Sequence, residues 1–325
     1  MKKSLLILLI YIVSAVIFIP SIVTLLFSGQ KNHAPSNGTK QSTTTVEVLS
    51  PDILNLDSQN ALEEYIKGVV AAEMPALFPE EALKAQAVAA RTYTIHSLNG
   101  STEINPDKIG QAYLTKQQLQ QQWGNHFSEY YKKISDAVDA TYGEIMVYQD
   151  EPILAVFHAE SAGKTENAEN VWEQEIPYLK SVDSSLDKNS PDFEKETIFT
   201  PTQIKNAFTS KYGNIGLDIG NIYSQIQILS HSPSGYIQQI KVGNSTFTGK
   251  QVREALGLRS ANFTVTQKDA NTICFTTKGY GHGAGMSQYG ASFMAKEGKT
   301  YKEILNHYYT GIQLKKWEKI DSFAE

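Results

Sequence analysis

The strongest feature of the hydrophobic pattern is a nearly continuous apolar run at residues 5–27, close to the start of the chain. A run of this length can cross a lipid bilayer, which needs about 20 apolar residues. Two lysines precede it, and the positive-inside rule keeps them in the cytoplasm and leaves everything after the run outside. We therefore predict a single transmembrane signal anchor at residues 1–28. A cleaved signal peptide is the alternative, although the run exceeds the usual signal core and no clear cleavage site follows it.

The pattern changes abruptly after the predicted anchor. Residues 29–45 are mainly Gly, Pro, Asn, Gln, Ser and Thr, which is typical of a flexible linker. From residue 46 to 325, helical and strand-like periodicities predict an α+β domain in which mixed helices and antiparallel strands surround a substrate cleft. The first strand is predicted at 43–49. The stretch 200–266 carries no recognisable chemistry and is predicted to be a subdomain or an insertion.

Apolar stripes, capping residues and turn signals predict the remaining elements. Helices are expected at 60–74 with Asn60 as the N-cap, at 79–95, 107–131, 134–142, 200–211 and 249–256, and after Ser287 and Thr300. Strands are expected at 144–148, 153–157, 226–230, 237–242, 263–266 and 273–277.

The first candidate for chemistry is Glu73, a single carboxylate among the small and apolar residues of 69–75. Pro75 cannot continue a helix, so Glu73 is predicted to lie in the last helical turn. Exclusion of water and the nearby helix-end carbonyls both favour the protonated acid and raise its pKa. A general acid for cleavage of a glycosidic bond needs such a pKa at neutral pH. A lone glutamate at a helix end is more often simply solvated, so the assignment depends on the rest of the chain.

Two cations follow on the predicted helix 79–95. Lys84 and Arg91 are seven positions apart and therefore share one face of that helix. Burial of two cations among small residues is costly without anionic partners. Two interpretations stay open: they are surface cations, or they form a cationic stripe that orients a polar substrate or tunes Glu73.

Two polar loops that follow predicted strands supply the other candidates. The first covers 158–167, and an ordinary surface loop is its competing interpretation. The second covers 279–291, where glycines at alternate positions let the backbone approach a ligand closely. Hydroxyl, imidazole and amide groups there are suited to sugar hydroxyls and acetamido groups. The candidate substrate-binding residues in the two loops are His158, Ser161, His282, Ser287, Gln288 and Tyr289.

Composition and charge exclude several functional classes. The chain has 325 residues and a formal net charge of −5, which does not favour nucleic-acid binding. Cys274 is the single cysteine, so an intrachain disulfide and a multi-cysteine zinc site are excluded. The loops lack a serine-hydrolase pattern, and His158, Glu160 and His282 lack the spacing of metal ligands. The glycine-rich loop lacks the lysine or acidic residue of a nucleotide site. Neither a metal nor a cofactor is predicted.

Three parts of the chain together resemble the stage II sporulation protein D family: 71–75 followed by 83–93, then 158–167 with Trp172, and finally 279–291. The resemblance covers nearly the whole region after the anchor, in order, and its final glycine-rich motif is quite specific. It implies a membrane-anchored lytic transglycosylase of endospore-forming bacteria. Such enzymes cut the MurNAc–GlcNAc bonds of peptidoglycan glycan strands during engulfment of the forespore. The catalytic glutamate of the family falls on Glu73, and its cations fall on Lys84 and Arg91.

The implied mechanism agrees with the analysis of Glu73. The protonated acid donates to the leaving glycosidic oxygen, and the resulting carboxylate accepts the proton of the C6 hydroxyl of the same sugar. A 1,6-anhydro ring closes without water, so the second carboxylate of hydrolytic glycosidases is not required.

The resemblance also implies partners and a location. The substrate would be glycan from which an amidase of sporulation has removed the stem peptides, and a polytopic membrane protein would hold both enzymes. The location would be the mother-cell membrane at the engulfing septum. The competing hypothesis is a non-catalytic cell-wall-binding module that enhances a partner amidase, and the formation of anhydro-muramic ends distinguishes the two.

Overall fold

The computed structural model describes residues 54–56, 58–269 and 271–317. The predicted anchor, the linker and the first strand at 43–49 lie outside these residues. Within the described part, no helix has the length and apolar character needed to cross a membrane. The division of the chain into anchor, linker and domain therefore stays a prediction.

The described residues form helices and short strands in alternating groups. The α-helices are α1 (Gln59–Glu73), α2 (Glu80–Leu98), α3 (Lys116–Trp123), α4 (Phe127–Ala140), α5 (Ala168–Trp172), α6 (Pro201–Tyr212), α7 (Gly249–Leu256), α8 (Gln288–Lys296) and α9 (Tyr301–Tyr308). The strands are β1 (Leu54–Asn55), β2 (Glu103–Ile104), β3 (Glu144–Tyr148), β4 (Glu151–Pro152), β5 (Phe157–His158), β6 (Glu194–Phe199), β7 (Ile226–His231), β8 (Ile237–Val242), β9 (Ser245–Phe247), β10 (Phe263–Asp269), β11 (Thr272–Lys278), β12 (Met286–Ser287) and β13 (Gln313–Lys316).

Most strand pairs are antiparallel. The sheets have the orders β1-β2, β13-β3-β4, β10-β11-β6 and β7-β8-β9, and β5 pairs with β12 in parallel. The parallel pair joins the two predicted loops, because Met286 lies opposite Phe157 and Ser287 lies opposite His158. The predicted α+β class is confirmed.

Helix α2 is the centre of the larger hydrophobic core. It contacts α1, α4, α8, α9 and β3. Its consecutive residues Ala87, Val88, Ala89 and Ala90 are all fully buried, and such small side chains allow neighbours to approach on several sides. A second hydrophobic cluster is formed by residues between Ile204 and Phe275 and so extends past the predicted end of the subdomain at 266. The boundary of that subdomain stays a prediction.

The structure corrects the predicted strand at 153–157. Only β4 and β5 form, because the backbone between them bonds elsewhere. The amide of Val156 donates to the carbonyl of Leu154 at 2.9 Å, which closes a tight turn. The carbonyl of Val156 accepts from the hydroxyl of Tyr309 at 2.8 Å. The tight turn at Leu154 and Val156 therefore interrupts the predicted strand.

Two helix boundaries also differ from the prediction. Helix α1 starts at Gln59, and its N-cap is Ser58 rather than Asn60, because the Ser58 hydroxyl accepts from the amide of Ala61 at 3.2 Å. The predicted helix 107–131 is interrupted: α3 starts only after Thr115, which forms a capping box with Gln118. The elements 144–148, 237–242 and 249–256 have the predicted bounds.

Candidate active site

Glu73 is the last residue of α1 and is partly exposed. Its Oε1 accepts a hydrogen bond from the backbone amide of Ala112 at 2.6 Å. Burial raises the pKa of Glu73 to about 7, and the bond from Ala112 opposes this rise because it favours the carboxylate. The predicted elevation of the pKa is confirmed, and burial is its cause. Near neutral pH, Glu73 therefore has access to both of its protonation states.

Gly68 allows the segment that carries Ala112 to lie directly against α1. The amide of Leu114 donates to the carbonyl of Gly68 at 3.3 Å. A Cβ atom on Gly68 would lie 2.5 Å from the ring of Tyr113 and 2.6 Å from the carbonyl oxygen of Leu114. The Tyr113 ring also stacks on Tyr65, with the centroids 5.0 Å apart. A glycine in mid-helix thus positions the amide that contacts the acid.

The substitution Gly68→Ala is expected to lower any activity that depends on Glu73 by at least about tenfold, because even small misplacements at a reacting group are costly. The new methyl group overlaps a backbone oxygen and moves the Ala112 amide away from Glu73. Loss of that amide removes a bond that favours the carboxylate, so the alkaline limb of the pH–rate profile should move to higher pH. Rates across the neutral range measure both effects. An unchanged rate and an unchanged profile would contradict this role of Gly68.

Gln288 connects the glycine-rich loop to the acid. Its Nε2 donates to the backbone carbonyl of Glu73 at 3.1 Å and to Oε1 of Gln86 at 3.3 Å. Ser287 is buried and caps α8, as predicted, because its hydroxyl accepts from the amide of Gly290 at 3.1 Å. The side chain of Ser287 therefore faces the protein interior, whereas Gln288 lies beside the helix end that presents Glu73.

Tyr289 is partly exposed next to Gln288. Its ring meets the ring of Phe78 edge-on, with the centroids 5.2 Å apart. Phe78 lies in the turn between α1 and α2, a few residues after Glu73. Tyr289 is thus placed on the same side of the molecule as the acid, where an aromatic surface is available to a sugar.

His158 and Ser161 are buried and bond to each other rather than to solvent. Nδ1 of His158 lies 3.0 Å from the carbonyl oxygen of Ala284, and Nε2 lies 2.7 Å from the Ser161 hydroxyl. A carbonyl only accepts, so Nδ1 carries the proton and the serine donates to Nε2. Burial lowers the pKa of His158 well below its usual range, which keeps the ring neutral. The expected substrate contact of these two residues is corrected: they fasten the first loop to the second.

Arg91 is likewise corrected, because it is fully buried. Its Nη2 lies 2.6 Å from Oε2 of Glu63 on α1, and its Nη1 donates to the carbonyl of Glu144 at 2.9 Å. The anionic partner is therefore Glu63, and Arg91 neither reaches substrate nor tunes Glu73. Lys84 pairs with Glu80 at 2.7 Å and Glu81 at 2.9 Å, one turn earlier on α2.

His282 lies at a cavity of about 590 Å³ that sequence patterns did not indicate. Its ring is 5.2 Å from that of Trp172 and 5.5 Å from that of His158, measured between centroids. Burial lowers the pKa of His282 to about 4, so the imidazole is neutral at pH 7. The substrate contact predicted for His282 stays a prediction, and the cavity beside it is separate from the bonds around Glu73.

Glu160 is a second carboxyl group whose pKa burial raises to about 7. It is 2% exposed, accepts from the hydroxyl of Ser190, and lies 3.4 Å from Nη2 of Arg259. Its carboxyl is therefore engaged inside the protein and is not presented to a ligand. Among the described residues, no group of three or more His, Cys, Asp and Glu side chains is arranged to hold a metal ion.

A mixed α+β fold that presents a partly exposed acid of raised pKa at a helix end, beside a glycine-rich loop, agrees with what the chain is similar to. Residues 54–148 match the family model described as "Stage II sporulation protein". The chain is 42% identical over 261 residues to stage II sporulation protein D of Bacillus subtilis (strain 168), covering 78% of this chain and 74% of that protein. The chain belongs to the stage II sporulation protein D family.

Two further relatives define how far the similarity extends. Stage II sporulation protein D of Bacillus amyloliquefaciens is 40% identical over 270 residues, which are 81% of this chain and 75% of that protein. A protein of Bacillus subtilis (strain 168) named amidase enhancer is 29% identical over 295 residues, which are 77% of this chain but 40% of that protein. The names of these relatives connect the family with sporulation and with amidases.

Proposed function

We propose that the protein is a lytic transglycosylase that cuts the MurNAc–GlcNAc bonds of peptidoglycan and leaves 1,6-anhydro-MurNAc ends. The observation that carries the proposal is the pKa of Glu73, which burial raises to about 7. A group that must act first as acid and then as base works best when its pKa is close to the working pH. Glu73 is also partly exposed, so a glycan can reach it.

The contacts of Glu73 support each half of the reaction. The protonated carboxyl donates to the glycosidic oxygen as the bond breaks. The carboxylate that forms is stabilised by the amide of Ala112, at 2.6 Å, because a bond to the charged form favours that form. The same carboxylate then removes the proton of the C6 hydroxyl, which attacks the anomeric carbon and closes the anhydro ring. Gln288 holds the helix end in place through the Glu73 carbonyl.

The cellular setting is part of the proposal. The apolar run at 5–27 would hold the protein in the mother-cell membrane at the engulfing septum, with the catalytic domain outside the cytoplasm. Its substrate would be glycan already stripped of peptides by a sporulation amidase, and a polytopic membrane protein would hold the two enzymes together. The relatives named for sporulation stage II and for amidase enhancement support this setting.

The test is digestion of purified, peptide-free glycan, followed by mass analysis of the fragments. A lytic transglycosylase produces muramic ends that are lighter by one water than the reducing ends left by hydrolysis, and anhydro ends are expected. Reducing ends would overturn the proposed chemistry, because they require a water molecule as the attacking group.

The second candidate function is a binding module that enhances an amidase without cutting glycan. The observation that favours it is the relative named amidase enhancer. The discriminating measurement adds the parent protein and its Glu73→Gln variant separately to a cell-wall amidase acting on intact wall. Equal stimulation by both proteins, without anhydro ends from the parent, would establish the binding module. Stimulation by the parent alone would follow from glycan cleavage.

A further inference from the structure

A large cavity of the described residues lies away from the bonds around Glu73. It has a volume of about 590 Å³ and is bounded by α5, by β8 and by the start of α7. Trp172, Tyr236 and His282 supply aromatic walls, and Lys250 and Arg253 supply cations. Ligand sites of proteins commonly combine such apolar walls with a few convergent polar groups.

Within the described part of the chain, the two cations of the cavity lie in no ion pair, and Glu254, the carboxylate that acts on both, is itself paired with Lys211 at 2.7 Å. Arg253 donates from Nε to the carbonyls of Leu258 at 3.3 Å and Arg259 at 3.2 Å, which fixes the guanidinium plane. Lys250 donates to the carbonyl of Val171 at 3.3 Å. Among the described residues, neither cation forms an ion pair. Other cations of the chain behave differently, as Arg91 and Arg259 show by their pairs with glutamates.

Of the described residues, Glu166, Glu169 and Glu173 are the acidic ones that line the same cavity, and none of them forms an ion pair with these cations. Glu166 is saturated: one oxygen accepts from the Ser232 hydroxyl, and the other accepts from the amide of Asn167 and the side chain of Asn170, both at 2.8 Å. Glu169 has a buried oxygen, Oε2, without a hydrogen-bond partner. A buried acceptor in this state is costly unless a ligand donates to it. The cavity thus offers unpaired cations and an unpaired acceptor.

We propose that this cavity binds a sugar residue that carries a free carboxylate. The guanidinium of Arg253 and the ammonium of Lys250 bind the carboxylate, because charge-assisted bonds of this kind are strong and arginine matches the planar group. The rings of Trp172 and His282 receive the apolar face of the sugar. Oε2 of Glu169 accepts from a hydroxyl or an acetamido N–H of the ligand.

The inference that this cavity is a glycan subsite rests on the proposed function. His282 at the cavity and Gln288 at the acid belong to one loop, and the chain between them covers at most about 22 Å even when fully extended. The two places are therefore close enough for one glycan strand to span them. The carboxylate has two possible sources in peptidoglycan: the lactyl group of peptide-free muramic acid, or an attached stem peptide, which converts the lactyl carboxylate into an amide.

The test measures binding in the full-length Glu73→Gln protein, so that it is independent of cleavage. Calorimetric titration compares three tetrasaccharides: peptide-free GlcNAc–MurNAc, its peptide-bearing form, and a chitin oligomer without any carboxylate. We expect the peptide-free or the peptide-bearing saccharide to bind at least about tenfold more tightly than chitin. The form that binds more tightly identifies the source of the carboxylate. Introduction of Arg253→Gln into the Glu73→Gln protein should abolish this preference and leave the affinity for chitin unchanged.

Two further variants secure the interpretation. Lys250→Gln changes an exposed side chain and is expected to reduce the preference even if Arg253→Gln fails to fold. Lys268→Gln removes a cation that pairs with Glu196 at 3.2 Å outside the cavity, and it should leave the preference unchanged. Equal affinity for all three saccharides in the Glu73→Gln protein would overturn the inference. Absence of anhydro ends from the parent protein would overturn the proposed function and leave this binding result intact.

Discussion

Glu73→Gln is expected to abolish formation of anhydro ends while the protein stays folded and still binds glycan. The amide fills the same space and can still accept the bond from Ala112, but it cannot supply a proton. General acid–base catalysis typically contributes about 10²–10⁴-fold, so the loss should be at least of that order. Glu73→Asp should also be poor, because the carboxyl is drawn back from the glycosidic oxygen.

The pH dependence of the parent protein follows from the same group. The proposed reaction needs protonated Glu73, so its rate should fall as the pH rises through about 7. The matched control is Glu129→Gln, which changes an exposed glutamate and should keep both the rate and the profile. Near-normal production of anhydro ends by pure Glu73→Gln would remove Glu73 from the mechanism.

Stability offers an independent measure of this pKa. The pKa of Glu73 is raised from 4.5 to about 7, so the folded protein holds the proton more tightly than the unfolded chain does. Glu73 therefore costs no stability below pH 4.5, and the cost grows until the pH has passed about 7. The glutamine side chain does not ionise, so Glu73→Gln should exceed the parent in unfolding free energy by on the order of 1–3 kcal/mol above pH 7. Denaturant unfolding at several pH values checks the sign.

Arg91→Ala is expected to destabilise the fold by about 3–5 kcal/mol, because it leaves a buried carboxylate without its cation. Glu63 is 2% exposed and also accepts from the amide of Gly143 at 3.0 Å and from Gln59. The guanidinium also donates to the carbonyls of Glu144 and Val138, so its removal leaves acceptors on α1, β3 and α4 without this partner. Urea unfolding curves measure the effect.

A comparison of variants separates the ion pair from simple loss of volume. Replacement of both Glu63 and Arg91 by apolar residues of similar size should cost less than Arg91→Ala alone, since no unpaired charge remains. Lys132→Ala is the surface control, because Lys132 and Asp136 are 75% and 55% exposed, and its cost should be below about 1 kcal/mol. A folded Arg91→Ala protein of normal stability that cuts glycan poorly would restore a direct role for Arg91 in the reaction.

The elements around the acid were predictable because their signals are local. Pro75 ends α1 after Glu73, and Pro79 with two glutamates starts α2, so both helices follow from neighbouring residues. The partners of these helices were not predictable. Glu63 and Arg91 are far apart in sequence, and only the packing of α1 on α2 brings them together. A buried cation and a substrate-binding cation have the same sequence pattern.

The geometry of the site was likewise predictable only where it depends on neighbouring residues in the sequence. The elevated pKa of Glu73 follows from its apolar neighbours in sequence, but the amide of Ala112 that opposes this elevation comes from a loop. The strand expected at 153–157 failed because Val156 bonds to Tyr309, near the other end of the described chain. The cavity at Arg253 is lined from several separate segments, and those that carry Gln238 and Arg253 have no recognisable motif, although Trp172 and His282 belong to stretches that carry the family resemblance.

The bond from Gln288 to the carbonyl of Glu73 has a consequence for the order of events during synthesis. Glu73 leaves the ribosome long before Gln288, and α2 lacks its neighbours α8 and α9 until then. Strand β13 must also arrive before it can pair with β3. Contacts between such distant positions form slowly. A partly translated chain therefore carries the acid without its supports, so wall-cutting activity would begin only once nearly all of the described chain has been made.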